Sequence, residues 1–342
     1  MPPKVSVIIP CYNLGQYLNE AVDSVLAQTF QDYEIIIVND GSTDEFTNNL
    51  LKDFKKPNCT VYITPNQGLP AARNYGIERS KGEYICCLDA DDKYHSEFLE
   101  QCVNVLDADS SSEFGFVTTW VTIFGDEEFT WETADFNPCQ LVIENQIHVA
   151  SLFRKSVWEE VNGYSTNLAG YQDWDFWLKI AARGYKWHVI KTPLFFYRKR
   201  SDSMIKTSDV KRSELRKIII ENNLEFIKKN AVEIILGYDR LIAMLVEKQD
   251  RCTRYSWSLE KKLAILEPVV NELEPFANEL RPYANELKPI AGNLEPNTNE
   301  LETVMQALKK LNNSVLFRGY KLMLTTSNKL TGLIRKKKIR EK

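Results

Sequence analysis

Histidine is scarce in this sequence, with three among 342 residues, and the seven cysteines include no C-x-x-C pair. An odd cysteine count without paired spacing argues against both a disulfide framework and a zinc site, and fits a reducing compartment. The histidines are too dispersed to form a site. His95 falls at a helix start, His188 in a strand, and His148 just ahead of the apolar residues 149–153, so each is expected to be structural. Long hydrophobic runs are missing too. The longest uncharged apolar-rich stretch, residues 114–125, falls well short of the roughly 20 residues that span a bilayer as a helix. Residues 1–9 lead into strand-like sequence without the charged and apolar regions of a signal peptide. Cytoplasmic residence is expected, with any membrane contact peripheral at the inner face. Lys and Arg (43) nearly balance Asp and Glu (47), so the net charge of -4 gives no reason to expect nucleic acid as a partner. A G-x-G-x-x-G turn after the first strand is also absent, which disfavours a dinucleotide oxidoreductase. Nor is there a glycine- and basic-rich loop there, as a sugar-nucleotide pyrophosphorylase would need for a triphosphate.

What is present is 44% hydrophobic content, enough for a large core and about two domains plus a tail. Between residue 5 and about residue 197, short β-rich runs alternate with helix-period segments. Strands are expected at 5–10, 34–38, 60–63, 83–88 and 116–123, and helices at 15–30, 69–80, 97–106 and 174–183. This rhythm predicts an α/β fold: a mostly parallel sheet flanked by helices, followed by a helical C-terminal extension. The runs at 5–10 and 34–38 are nearly continuous apolar stretches, as strands buried on both faces require. In such sheets ligands bind beyond the carboxyl ends of the strands. The residues at and just past the ends of these runs are therefore informative: Pro10 to Asn13, Asn39 to Ser42, and Asp89 to Asp92.

After residue 205 the character changes. Segments 208–229 and 232–248 read as charged, amphipathic helices within an extension covering 206–261. A seven-residue repeat fills 262–304, with leucines at 266, 273, 280, 287, 294 and 301 and prolines at 268, 275, 282, 289 and 296. Leucine followed three residues later by Val269, Phe276, Tyr283 or Ile290 has the spacing of a coiled-coil seam, which suggests a homo-oligomer. Proline inside a helix costs about 3 kcal/mol. The repeat is therefore either a chain of short turns, a regularly bent helix, or a low-complexity spacer. Residues 305–342 mix apolar and basic side chains and include the run Arg335 to Arg340, a pattern suited to an anionic membrane surface or to a solvated basic tail.

The acidic turn Asp89, Asp91, Asp92 after an apolar strand is the strongest chemical signal. Carboxylates crowded at a strand end call for a compensating cation, and a divalent ion bridging a diphosphate would supply it. A lone D-x-D is common by chance, and an acidic turn before a helix starting near Ser96 would explain it equally well. It does not stand alone. Residues 5–13, 38–44 (Val-Asn-Asp-Gly-Ser-Thr-Asp), 66–74 (Asn-Gln-Gly-Leu-Pro-Ala-Ala-Arg-Asn) and 88–92 occur in order. Together they resemble the family 2 glycosyltransferases, over about residues 4–205. The resemblance implies a GT-A fold in a catalytic domain covering 1–205, an inverting mechanism and a nucleotide-sugar donor, with UDP-sugar favoured. It also implies Mn2+ or Mg2+ as cofactor. Pro10, Tyr12 and Asp40 would hold the nucleoside, Asp40 accepting from a base imide. Arg73 would approach base and diphosphate, Asp89 the ribose, and Asp91 the metal.

On the acceptor side, Asp173 matches the family's general base, while Gln172 stands where the family carries Glu. Asp175 is a nearby alternative, and either carboxylate could simply favour a helix N-terminus. Gly163, within the turn Asn162 to Tyr164, resembles a pocket-shaping position. Tyr171, Trp174 and Trp177 could stack on sugar faces, although aromatics at helical spacing also build cores. Arg200 stands in a loop that resembles a mobile closing segment, where many members have histidine. It cannot ligate a metal but could clamp diphosphate. The implied acceptor is a hydroxyl of a glycan or lipid-linked molecule in surface polysaccharide synthesis. The rival reading is a glycosyltransferase-like domain without turnover, serving as a scaffold for an assembly at the membrane.

Overall fold

A computed structural model of the chain describes residues 2–200, 210–247 and 249–251. The heptad segment 262–304 and the basic tail 305–342 lie outside the described residues. Strands β1 (Val5–Cys11) and β2 (Tyr33–Asp40) are buried along almost their whole length, which is why their sequences are continuous apolar runs rather than alternating ones. With β3 (Cys59–Thr64) and β4 (Tyr84–Cys87) they form a parallel block in the order β3-β2-β1-β4. Helices α1 (Gly15–Leu26), α2 (Glu45–Lys52) and α3 (Leu69–Arg79) connect these strands. Helix α3 packs tightly on the sheet at Gly76. A Cβ there would lie 2.6 Å from Ile8 Cγ2 and 3.2 Å from Val38 Cγ2. The missing side chain therefore sets how close α3 comes to β1 and β2.

Beyond β4 the sheet becomes mixed. The short β8 (Leu152–Arg154) runs antiparallel between β4 and β6 (Phe114–Gly125). β6 in turn pairs in parallel with the long β9 (Lys186–Lys199), through shifts of register near Trp120. β5 (Lys93–Tyr94) and β7 (Phe129–Trp131) add antiparallel edges to β9 and β6. The result is the GT-A-like α/β architecture, with a mixed sheet whose parallel character is concentrated in its first four strands. Helices α4 (Phe98–Ala108), α5 (Pro138–Ile143), α6 (Lys155–Glu160) and α7 (Gln172–Ala182) complete the flanking layers.

The aromatic core lies between α7 and the mixed half of the sheet. Trp177 packs 4.4 Å from Phe116 and 5.0 Å from Phe176, centroid to centroid, and Phe176 stacks on Tyr164 at 4.2 Å. His148 is buried there beside Thr118 and Thr119, and burial pushes its imidazole down to about 3, so it stays neutral. His95 stacks on Phe196 and His188 meets Phe114 edge-on, which places all three histidines in packing roles. The described cysteines are unbridged thiols.

The charged segment 208–229 is not one helix. It breaks at Asn223 into α8 (Arg212–Asn222) and α9 (Leu224–Lys229), and a further helix covers 231–247. Residues to Glu247 form one compact unit, so these helices belong with the sheet. Arg216 bonds the carbonyl of Val142 at 2.7 Å and lies over the Trp174 ring at 4.3 Å. Among the described residues no helix is long and apolar enough to cross a membrane.

Candidate active site

Parallel pairing of β1 with β2 and β4 brings three strand ends to one edge: Cys11 opposite Asn39, and Cys87 opposite Ile8. Pro10 and Cys11 are buried, whereas the next residue, Tyr12, turns an exposed ring outward. Asn13 then adopts a left-handed φ of 56°. Its side-chain oxygen accepts from Thr43 N (2.7 Å) and Asp44 N (3.1 Å), and its backbone N–H donates to Ser42 Oγ (3.0 Å). Asn13 thus staples the end of β1 to the loop after β2. Asp40, buried at the end of β2, accepts from Gln67 N (3.0 Å) and Gly68 N (2.9 Å). Both of its oxygens orient the loop that starts α3.

That helix carries Arg73, which is 1% exposed. Its Nη2 donates to Asp89 Oδ1 at 2.6 Å, and its guanidinium lies 5.6 Å from the centre of the Tyr164 ring. The acidic turn divides its work. Asp89 takes Arg73; Asp91 Oδ2 lies 3.0 Å from Arg200 Nε; and Asp92 is buried, accepting from Arg198 N at 2.8 Å. Burial and the neighbouring carboxylates push the Asp91 and Asp92 protons toward retention. Arg198 counters this by donating its Nε to the Asp91 carbonyl (2.8 Å) while pairing with Glu20.

Asp173 stands half-buried in the first turn of α7, with Asn145 Nδ2 3.3 Å from its Oδ2. Burial raises its carboxyl above the usual range. Arg73, Trp174 N–H and Asn145 oppose that rise, while Asp89 adds to it. Arg73 and Asp89 are therefore within electrostatic reach of Asp173. Tyr197, on β9, has its hydroxyl held well above the usual range by burial and by the negative charge of Asp92, Asp89, Asp91 and Asp173.

Residues 6–169 match the model of the family described as Glycosyl transferase family 2. These residues are similar to a family 2 glycosyltransferase domain. An uncharacterized glycosyltransferase of Rickettsia typhi is 32% identical over 189 residues, covering 52% of this chain and 58% of that protein. Chondroitin synthase of Pasteurella multocida is 30% identical over 194 residues, covering 55% of this chain and 20% of the synthase. The chain thus spans little more than half of the first relative and a fifth of the second. The crystal structure of S. aureus TarS 1-349 in complex with UDP-GlcNAc superposes with a TM-score of 0.54 at 19% identity. That match covers 64% of this chain and 66% of that one, a likeness of fold.

Some expected site residues serve the framework instead. Trp174 is 1% exposed, donates its indole N–H to the Leu141 carbonyl and is covered by Arg216. Neither it nor the fully buried Trp177 offers a ring face to a sugar. Asp175 is fully buried, holding Ser165 Oγ at 2.6 Å, Asn222 Nδ2 at 3.0 Å and Asn223 Nδ2 at 3.2 Å. It is committed to fastening α8 to α7, which leaves Asp173 as the available carboxylate. Tyr171 remains half-buried at a left-handed φ of 55°, at the head of α7. Arg73, expected to touch base and diphosphate, is buried behind Asp89.

Asn74 closes the 66–74 segment without a role assigned to it there, yet it joins two parts of the site. Its Oδ1 accepts from Tyr164 N (2.9 Å) and Trp158 Nε1 (3.2 Å), and its Nδ2 donates to Tyr164 O (2.8 Å). Adjacent residues of α3 thus hold the acidic turn and the 162–164 turn at once. Gly163 sits in that clamp at φ 64°, and a Cβ would lie 2.7 Å from Asn74 Oδ1. Gly163→Ala is expected to lower stability by about 1–3 kcal/mol through left-handed strain and displacement of Asn74. Chemical denaturation would measure it, and an unchanged midpoint would contradict the clamp.

Among the described residues no three His, Cys, Asp or Glu side chains enclose a metal by themselves. A magnesium or manganese ion bound together with nucleotide phosphates needs only one or two carboxylates, the other positions going to phosphate and water oxygens. The hard oxygens of Asp91, crowded by Asp89 and with a buried, unpartnered Asp92 Oδ2 behind them, fit that requirement.

Proposed function

We propose that this chain carries an inverting, metal-dependent glycosyltransferase of family 2 that moves a sugar from a nucleotide diphosphate sugar to a hydroxyl of a glycan or lipid-linked acceptor. The observation that carries this reading is the packing that joins the two sides: Arg73, paired with Asp89, lies over Tyr164, which stacks on Phe176 of the helix whose first turn carries Asp173. A carboxylate poised beside a donor turn is what direct displacement by an acceptor hydroxyl requires. UDP-sugar is the favoured donor, supported by the fold shared with a protein crystallised with UDP-GlcNAc. Synthesis of a surface polysaccharide is supported by the chondroitin and hyaluronan synthases among the relatives.

Each residue's part derives from its position. The exposed Tyr12 ring offers a face for a base, and Asp40 holds the loop beside it. Asp89, fixed by Arg73, presents its free oxygen to the ribose. A divalent cation on Asp91 would supply Lewis-acid stabilisation of the departing diphosphate. Arg200, now on Asp91, is placed to follow the phosphates. Asp173 accepts the proton of the attacking hydroxyl.

The scaffold reading draws on the Asp91–Arg200 pair, which neutralises the acidic turn without a metal. A thermal-shift screen of nucleotide sugars with manganese separates the two readings. A donor present at about 100 times its Kd should stabilise the fold by about 2.7 kcal/mol. Hydrolysis of that donor should be lost in Asp91→Ala. If no donor is turned over by the wild type, the catalytic reading fails.

A further inference from the structure

Helix α5 is six residues long, and its end is fastened by side chains from other helices. The last carbonyls of a helix have no partner within it. Here Gln140 O accepts from Glu144 N at 3.0 Å, Leu141 O accepts from the Trp174 indole of α7, and Val142 O accepts from Arg216 Nη1 of α8 at 2.7 Å. Ile143 is buried, and a Cβ at Gly237 would lie 2.5 Å from its Cδ1, so the helix covering 231–247 presses on the same turn. The chain then leaves α5 through extended backbone at Glu144, and Asn145 follows. Asn145 Oδ1 accepts from Ile147 N at 3.3 Å, which settles the orientation of the amide and turns Nδ2 away from that bond. Nδ2 donates to Asp173 Oδ2 at 3.3 Å.

We propose that Asn145 is a positioning residue for the general base: held by Ile147 and by the anchored end of α5, it grips one oxygen of Asp173 and fixes the direction of the carboxylate toward the acceptor hydroxyl. This rests on the reading of Asp173 as the base. An aspartate carboxylate turns readily about its Cβ–Cγ bond. With Oδ2 on a fixed donor it cannot turn without losing that bond, and the lone pairs that remain keep their direction. A hydrogen bond to the ionised form also favours that form. At 3.3 Å the bond is at the long end for N–H···O, and bonds of this kind tighten when substrate fills a site. The charged and titratable groups that act on Asp173 through space are Arg73 of α3, Asp89 of the acidic turn, Tyr164 of the turn before α7 and Tyr197 of β9. Substitution of Asn145 leaves all four in place, so its effect reports the direct contact.

The test uses the full-length protein with manganese and UDP-GlcNAc, or whichever nucleotide sugar of the thermal-shift screen the wild type hydrolyses. In Asn145→Ala, kcat is expected to fall by about 10–100-fold, the range for a catalytic group moved out of line, while KM for the donor stays within about twofold. The midpoint of the kcat–pH profile should move to higher pH, because a bond to the ionised carboxylate is lost. Asn145→Asp keeps the size of the side chain and the acceptor for Ile147 N–H, and carries the test if the alanine variant does not fold. It loses the donor and sets a second carboxylate against the first, so its midpoint should lie higher still. In an Asp173→Asn background, Asn145→Ala should cause no further fall in the residual turnover, since no base is left to place. A purely structural Asn145 would lower the melting temperature and leave the pH midpoint where it is. Wild-type kcat and midpoint in the folded variants, or a loss that adds in full to that of Asp173→Asn, would overturn the proposal. A wild type that hydrolyses no donor, or undiminished turnover in Asp173→Asn, would instead remove the assignment of the base, and the proposal with it.

Discussion

Asp173→Asn is expected to lower sugar transfer by about 10²–10⁴-fold, the range contributed by a positioned general base, with little change in thermal stability. The substitution keeps the shape of the side chain, its place in the first turn of α7 and a hydrogen bond to Asn145. What it removes is the ability to take a proton. The wild-type pH profile carries a second signature. Burial raises the Asp173 carboxyl above its usual range, and a raised carboxyl stays protonated to higher pH. Activity should therefore rise with pH through a midpoint above the ordinary aspartate value of about 3.9, and the inactive form is the one on the acid side. Steady-state rates across pH, on a donor found by thermal shift, would check both points. A variant that keeps more than about a tenth of wild-type kcat would assign the proton transfer to another group.

The strands that carry the donor side were legible because each is buried on both faces and announces itself as an apolar run with polar residues at its end. β1 and β2 extend the expected segments by only one or two residues at an end. Helix α1 was expected to continue to residue 30 but stops at Leu26. The reason is tertiary: Gln28 turns back to bond the carbonyls of Ser24 and His95 and receives Leu99 N–H, so the chain leaves the helix to reach α4. β8 and β5 are three and two residues long, too short for any period to register, yet both add antiparallel pairing to the sheet. The break at Asn223 was equally hidden, since it depends on Asp175 reaching across from another helix.

The site shows the same division. Asp40, Asp89 and Asp91 could be singled out as candidates because they sit at strand ends, and Arg73 because it lies in the 66–74 segment, where a resemblance can be read residue by residue. Burial could not be read that way. Trp174 and Trp177 have the chemistry to stack on sugar, and only three-dimensional packing reveals that their faces are covered by Arg216, Phe116 and Phe176. Asn13 carried a local hint, being a residue type tolerant of left-handed backbone next to a strand end. Asn74 and Tyr197 fell within or beside segments of the resemblance, but what they do could not be read there, because their partners lie far away in the chain.

Two carboxylates on one turn of α7 invite opposite experiments. Asp175→Ala is expected to cost about 3–5 kcal/mol of stability, the range for removing one partner from a buried charged network. Asp175 has no exposure and accepts hydrogen bonds from Ser165, Asn222 and Asn223, with Lys179 Nζ at 3.7 Å. Its removal leaves the half-buried Lys179 beside an empty site and frees α8 from α7, which in turn loosens Arg216 over Trp174. At about 2–4 °C per kcal/mol for a domain of this size, the melting temperature should fall by at least about 6 °C. Calorimetry of Asp175→Ala, with Asp175→Asn as the milder control, would measure it. Asp173→Asn should show the converse pattern, a near-native melting temperature with lost turnover. Two residues apart on the helix, one carboxylate would then be spent on holding the extension in place and the other kept available for the acceptor. A melting temperature unchanged in Asp175→Ala would mean that α8 is held by Arg216 and its apolar face alone, and that the choice of Asp173 over Asp175 as base loses its structural ground.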